Sequence, residues 1–257
     1  FFKVDFVQYL LRCDSFFDKE AGPFDAMRQI FTKIRECVGN GCHIMGCGAH
    51  IGIGTGYVDS RRTGIDIHNY WPHICMCTKS FGVQYACNRK VYQNDVDYLI
   101  VRGYGTSKES YPNVLNPAWN ALKDSKSISW CAGNIFNLNE AKTWCALVLA
   151  AGSSIFLGDR LSMLNDSGRD LVRRVVKHAD FEIAVPSDLT SADAYTEWRA
   201  PQSGRIYVIN WTEKEKAISV EADGSYIDIM TDKIYNSNEG KIEIFLESHE
   251  GVALKKA

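Results

Sequence analysis

The sequence predicts an α/β fold, a parallel sheet followed by a small antiparallel sheet or sandwich. Three observations carry this expectation. Short apolar strands alternate with helical patterns over roughly the first two-thirds of the chain, as strand–helix units of a parallel sheet do. Polar residues gather just after those strands, at Asp5, Cys47, Arg62, Asp66 and Asn94. From about residue 187 the pattern changes to short alternating segments separated by turns, which reads as antiparallel β structure. The parallel part fits either a doubly wound sheet or a (β/α) barrel. In a barrel, the polar residues would lie on the C-terminal face, where active sites sit.

The elements follow in order. Phe1 to Phe6 is the first strand. Residues 22 to 38 carry Phe24, Met27, Ile30, Phe31, Ile34 and Val38 at helical spacing, with Pro23 in the first turn and Gly39 as the stop. Cys42 to Gly46 is a strand, followed by a Gly-rich loop, and Tyr57 to Arg61 is another. A helical stretch runs from about Pro72 to Tyr92, and Asp97 to Val101 is a short buried strand. Residues 103 to 137 read as a long polar loop region. A helix opens at Asn139 and ends at Ala151, Ser154 to Leu157 is a strand, and Ser167 to His178 is an amphipathic helix. The antiparallel segments are Tyr195 to Trp198, Arg205 to Trp211, Lys216 to Glu221, Tyr226 to Met230, Lys241 to Leu246 and Val252 to Lys255.

A barrel needs eight strands, and about five parallel ones precede the change of pattern. If the fold is a barrel, roughly three strands lie outside this sequence. The opening Phe-Phe-Lys-Val-Asp-Phe reads as the middle of a strand, so a piece of a longer chain is expected. Half a barrel exposes open edges. The missing N-terminal half of the barrel, or a partner chain, is therefore expected to complete it, and a homo-oligomer is one form this could take.

Composition narrows the function. Of 257 residues, 46% are hydrophobic and 23% charged, and the formal charge is −2, which excludes intrinsic disorder. No basic excess exists to neutralise phosphates, so a nucleic-acid partner is not expected. The longest apolar run, Cys145 to Ala151, falls well short of the roughly 20 residues of a membrane span, so no membrane partner is expected. The 9 Cys are odd in number and scattered, without a C-x-x-C pair. They read as buried thiols in a reducing compartment, which favours a cytoplasmic location. His68 and His73 are five apart, not the i, i+4 spacing of a helical zinc pair, so no metal is expected. No G-x-G-x-x-G opens a helix after a strand, and no other cofactor is implied.

Two strand ends carry candidate chemistry. Lys3 and Asp5 are two residues apart on one strand, so they point to the same side, inward at the mouth and framed by Phe1, Phe2, Val4 and Phe6. A structural Lys–Asp ion pair is the plain alternative. In Arg62-Thr63-Gly64-Ile65-Asp66, Gly64 permits a bend that turns Asp66 toward a pocket, and Arg62 can fork onto a carboxylate or a sugar hydroxyl. A surface turn with an Arg–Asp pair is the alternative there. Asp59 is a competing carboxylate with a structural role. Carboxylates on two strand ends are what glycoside hydrolysis requires.

These residues resemble glycoside hydrolase family 36, the α-galactosidase or melibiase-like enzymes, in the clan that also holds family 27. The resembling strings are FFKVDF at Phe1 to Phe6, GCGA at Gly46 to Ala49, RTGID at Arg62 to Asp66 with Trp71 following, NDVD at Asn94 to Asp97, and LNEAKTWCALVLAAGSSIFLGD at Leu138 to Asp159. The resemblance implies the second half of a (β/α)8 TIM barrel over residues 1–186, followed by a small antiparallel β-sandwich domain over 187–257. It implies a retaining, double-displacement hydrolase acting on terminal α-galactosides. Asp5 would be the nucleophile and Asp66 the general acid/base. Lys3 would hydrogen-bond galactose hydroxyls and stabilise the charge on Asp5. Cys47 would form the pocket wall and Arg62 would contact the sugar. The family's paired aspartates for the galactose 4- and 6-hydroxyls lie on an early strand outside this sequence. The family often has Pro where Ile65 and Val96 stand, and Cys where Tyr98 stands. The substrate therefore stays open among an α-galactoside oligosaccharide, an α-N-acetylgalactosaminide and galactosyl transfer of the raffinose-synthase kind. A non-catalytic carbohydrate-binding remnant is the reading from another class.

Three further expectations concern the pocket. His50 lines it, and Trp71 either stacks on a sugar or packs behind Asp66. Asn94 and Asp95 brace the mouth rather than touch substrate.

Overall fold

The computed structural model describes residues 1–48, 50–108, 135–190 and 195–257. Ala49 of the GCGA string, Cys131 and most of the predicted loop at 103–137 lie outside the described residues. The chain forms two compact units. The first comprises Phe1–Thr63 and Ala86–Asp95, the second Gly64–Tyr85 and Val96–Ala257.

The first unit is built on four parallel strands: β1 (Phe2–Val4), β2 (Ile44–Gly46), β3 (Ser60–Arg62) and β4 (Gln93–Asp95). Each pairs with the next along the chain, in the order β1-β2-β3-β4. The order never reverses, whereas a doubly wound sheet reverses at its switch point. Helix α1 (Pro23–Val38) starts and stops as its sequence predicts. Asp25 accepts the Gly22 N–H at 2.9 Å, Pro23 occupies the first turn, and Gly39 ends the helix at φ 68°. Its Met27 and Phe31 pack with Val7, Ile44, Ile53, Val58 and Tyr92 in a small apolar core.

The second unit contains helices α2 (Trp71–Val83), α3 (Leu138–Ala151) and α4 (Asp166–His178), and a parallel pair, β5 (Tyr98–Leu99) with β6 (Phe156–Leu157). α3 is buried along nearly its whole length, including Trp144, Cys145 and Leu147. A helix apolar all round belongs in the interior of a fold. Antiparallel strands follow: β7 (Val185–Pro186), β8 (Glu197–Arg199), β9 (Ile206–Ile209), β10 (Lys216–Glu221), β11 (Ser225–Asp228), β12 (Ile234–Asn236), β13 (Lys241–Leu246) and β14 (Gly251–Lys256). Six of them form one sheet in the order β12-β11-β14-β9-β8-β7, and β10 pairs with β13. The two-residue period of β9 serves two cores. Ile206 and Val208 join Ile242, Ile244 and Leu246 of β13, while Tyr207 and Ile209 join the core around α3.

Several predicted boundaries are corrected. β3 lies at Ser60–Arg62, not 57–61, because Tyr57 and Val58 are tied into a turn by bonds to the Gly54 carbonyl. α2 ends at Val83 rather than Tyr92. Asn88 and the left-handed Arg89 (φ 59°) make a turn there, with the Asn88 side chain accepting from Asn94 N at 2.9 Å. β4 is additional, lying between the predicted helical stretch and the strand at Asp97, since its Gln-Asn-Asp sequence carries no apolar pattern. α3 is capped by Asn137, not opened by Asn139, because Asn137 and Glu140 form a reciprocal capping box. β7 and β12, two and three residues long, are additional.

The parallel strands form no closed barrel among the described residues. Of the eight described cysteines, which form no disulfide with one another, Cys47, Cys77 and Cys145 are buried, and Cys13 and Cys37 are exposed, so thiol burial is less general than expected. Among the described residues, no helix is long and apolar enough to cross a membrane. No group of three or more His, Cys, Asp or Glu there could hold a metal ion.

Candidate active site

Parallel strands end at one edge of their sheet, so their C-terminal residues meet in a row. The register builds that row here. Val4 pairs with Gly46, Gly46 with Arg61, and Arg62 with Asp95. One step on, Asp5, Cys47, Arg62 and Asp95 follow one another across the first unit. The ladder continues past β1, since Cys47 N–H donates to the Val4 carbonyl at 2.8 Å.

Asp5 sits where the chain turns from β1 into a short 3-10 helix, Val7–Arg12. Its Oδ1 accepts the Phe6 N–H at 2.7 Å, and Phe6 is left-handed at φ 62°. A bulky residue in that region is strained, and such strain clusters at functional sites. Lys3 Nζ lies 4.0 Å from Asp5 Oδ2, with side-chain exposures of 32% and 29%. Lys3 and Asp5 therefore share a side, as expected. The apolar frame is more open than expected, with Phe1, Phe2 and Phe6 exposed among the described residues.

The Cys47 thiol donates a hydrogen bond to Asp5. Burial pushes this thiol up to about 11, the Arg62 charge pulls it down, Asp5 pushes it up and Lys3 pulls it down. Cys47 is therefore a neutral donor at pH 7, not a thiolate nucleophile. Arg62 Nε donates to Asp95 Oδ2 at 2.9 Å, with side-chain exposures of 3% and 1%. Thr63 adds backbone and hydroxyl bonds to the Asp95 carbonyl, at 2.9 and 3.1 Å. Sequence reasoning placed Asp95 at the mouth without finding its partner, and the NDVD string was the only signal.

Asp59 belongs elsewhere. It accepts from Ile44 N at 2.7 Å and from Arg35 Nη2 at 2.6 Å, ahead of β3. Burial pushes its carboxyl up, but the Ile44 amide and the Arg35 guanidinium outweigh burial and hold it below the usual range. Its role is structural, as read from the sequence. His50 is exposed, with its ring edge against Phe24 of α1 at 5.9 Å and its Nδ1 accepting from Gly52 N at 3.3 Å.

Asp66 and Trp71 belong to the second unit. Asp66 is exposed on the loop from Gly64 to Tyr70, flanked by the buried Ile67. Ile67 N–H donates to Asp97 Oδ2 at 2.8 Å, and His68 N–H to His73 Nδ1 at 3.1 Å. Asn69 Nδ2 donates to the Arg102 carbonyl at 3.1 Å. Burial, and then the charges of His73 and Arg102, push the His68 imidazole down to about 4, with Asp66 opposing. Trp71 is buried, stacked on His249 at 4.1 Å and tilted against Trp211 at 5.3 Å.

No protein-family model matches the sequence, and no curated protein matches it. Solved structures do match. A Bacteroides fragilis protein assigned as an alpha-galactosidase/melibiase superposes with a TM-score of 0.69 at 15% identity, over 94% of this chain and 53% of its own. A family 27 β-L-arabinopyranosidase of Geobacillus stearothermophilus gives 0.62 at 14% identity, over 99% and 57%. Alpha-galactosidase I of Mortierella vinacea gives 0.57 at 10% identity, over 90% and 62%. At such identities the likeness establishes a shared fold. The chain spans about half the length of the Bacteroides fragilis and Geobacillus stearothermophilus structures.

Proposed function

We propose that this chain is the C-terminal part of a retaining glycoside hydrolase acting on terminal α-galactosides, of the family 36 kind. Residues 1–186 belong to its (β/α)8 barrel and 187–257 to a β-sandwich domain. The observation that carries the reading is the row Asp5, Cys47, Arg62, Asp95 at the C-terminal ends of four sequentially ordered parallel strands. Barrel enzymes place their chemistry at that edge. The fold likeness to glycoside hydrolases adds independent support.

In the proposed reaction the Asp5 carboxylate attacks the anomeric carbon while Asp66 protonates the leaving oxygen. The bond to the aglycone breaks and a glycosyl ester forms on Asp5. Water then attacks the same carbon, its proton passes to Asp66, and Asp5 leaves. The Cys47 thiol and the Phe6 amide donate to the Asp5 carboxylate and so fix its position. Lys3 faces sugar hydroxyls, while Arg62, closed against Asp95, braces the row instead of meeting the sugar as expected. Trp71 serves by anchoring the start of α2, since His249 and Trp211 flank its ring.

The exposures of the two ion pairs argue against a binding remnant. A structural carboxylate is capped and closed off, as Asp95 is by Arg62. Asp5 is partly exposed, with its lysine at 4.0 Å. The test is hydrolysis of p-nitrophenyl α-galactoside by the longest natural form of the protein, with proton NMR of the first-formed sugar. Release of α-galactose first supports the reading. β-Galactose first, or no turnover by a folded protein, contradicts it.

A further inference from the structure

We infer that Asp97 is a positioning residue that sets the Asp66 loop through the Ile67 amide. The inference rests on the reading of Asp66 as the acid/base. Two consecutive amides directly after Asp66, those of Ile67 and His68, are held by side chains rather than by a strand ladder. Ile67 N–H donates to Asp97 Oδ2 at 2.8 Å, and His68 N–H to His73 Nδ1 at 3.1 Å. Both acceptors are buried, Asp97 at 3% and His73 at 1% exposure. To accept there, His73 must carry its ring proton on Nε2.

Asp97 adopts a left-handed backbone at φ 79°. Asp tolerates that region better than most residues, so a simple turn between β4 and β5 is the plain explanation. That explanation leaves the carboxylate unaccounted for. A turn residue normally bonds its own neighbours and faces water, whereas this one is buried and reaches across thirty positions to the residue beside Asp66. Burial and an unfavourable φ at one residue are two costs, and they coincide at the contact with the candidate loop. The loop is held at further points, by Cys77 Sγ to the Ile65 carbonyl at 3.6 Å and by Phe136 N–H to the Asn69 carbonyl at 3.0 Å. The Ile67 and His68 bonds fix the peptide units immediately after Asp66. A proton donor must be held to a fraction of an ångström, and a misplacement of about 1 Å costs about 100-fold.

Two variants separate positioning from folding. Asp97→Asn keeps an acceptor and tolerates φ 79°. Asp97→Gly removes the acceptor while relieving the backbone. In the active full-length protein, Asp97→Gly is expected to lose about 10- to 100-fold in kcat/KM on methyl α-galactoside, whose leaving group needs a proton. Its loss on 2,4-dinitrophenyl α-galactoside, whose leaving group needs none, is expected to stay under about 3-fold. Asp97→Asn is expected to restore most of the difference. Equal losses on both substrates would mark Asp97 as merely structural and overturn the inference.

Asp66→Asn, run alongside, tests the underlying reading separately. If it shows no dependence on the leaving group, the acid/base assignment fails whatever Asp97 does. Amide hydrogen exchange supplies a readout without turnover. Ile67 is expected to exchange at least about 10-fold faster in Asp97→Gly than in wild type or Asp97→Asn. Unchanged protection would overturn the inference on its own.

Discussion

The polar row of the first unit and the Glu140–His249 cluster of the second use similar groups, carboxylates beside nitrogen bases and aromatic rings, yet they differ in closure. His249 lies between β13 and β14 at φ 57°, with Nδ1 2.7 Å from Glu140 and Nε2 3.1 Å from Glu213. Thr143 Oγ1 donates to its backbone carbonyl at 2.7 Å, and Trp71 stacks on its ring. Glu140 also completes the cap of α3. Each of these groups has a protein partner, and apart from Glu213 the set is buried. In the row, Arg62 and Asp95 are just as closed, but Asp5 and Lys3 stay partly exposed, 4.0 Å apart. A closed constellation holds a fold together, and an open one beside strained backbone is where a ligand can compete. The row therefore contains its own internal control, a closed carboxylate in line with a partly exposed one.

Breaking the closed pairs gives the largest stability effects. Asp95→Ala leaves the Arg62 guanidinium buried without this acceptor, and a loss of about 3–5 kcal/mol is expected in urea unfolding. A loss under about 1 kcal/mol would mean that the pair is not closed as described. Glu140→Ala removes the His249 contact and half of the α3 capping box, for about 2–3 kcal/mol. Its effect on turnover is expected to be small, which separates the cluster from the row.

A smaller effect comes from pH. The folded His68 imidazole is pushed down to about 4 by burial and neighbouring charge, from an ordinary 6.5. The unfolded chain therefore takes up the proton first as pH falls. The contribution of His68 is full above about pH 6.5 and declines toward pH 4, so stability rises with pH across that window. Urea midpoints at pH 7 and pH 5 measure this, and His68→Asn is expected to flatten the difference. An unchanged slope in that variant would place the proton uptake on other groups.

Much of this architecture is legible in the sequence where periodicity reports burial. α1 could be read to within one residue because Met27 and Phe31 lie on one face between a Pro start and a Gly stop. β10 and β13 were legible because their six residues alternate. β4 was hidden because its Asn94 and Asp95 are polar and still buried. Their burial depends on contacts with Asn88 and Arg62, which no local pattern reports. The Glu140–His249 contact joins positions 109 apart and leaves no sequence signal. Within the candidate site, Lys3, Asp5, Cys47 and Arg62 were found from strand ends and motif order. Asp97 was missed because its role depends on a left-handed backbone and a bond to Ile67, both visible only after folding.

The central claim is that Asp5 is the reactive member of the row. The most direct measurement compares Asp5→Asn with wild type on p-nitrophenyl α-galactoside, in the longest natural form, with unfolding measured in parallel. The account predicts a fall in kcat of about 10³-fold or more with stability changed by at most about 1 kcal/mol, because Asn keeps an oxygen to accept the Phe6 amide and the side chain is partly exposed. Turnover near the wild-type level in a folded Asp5→Asn protein would contradict it.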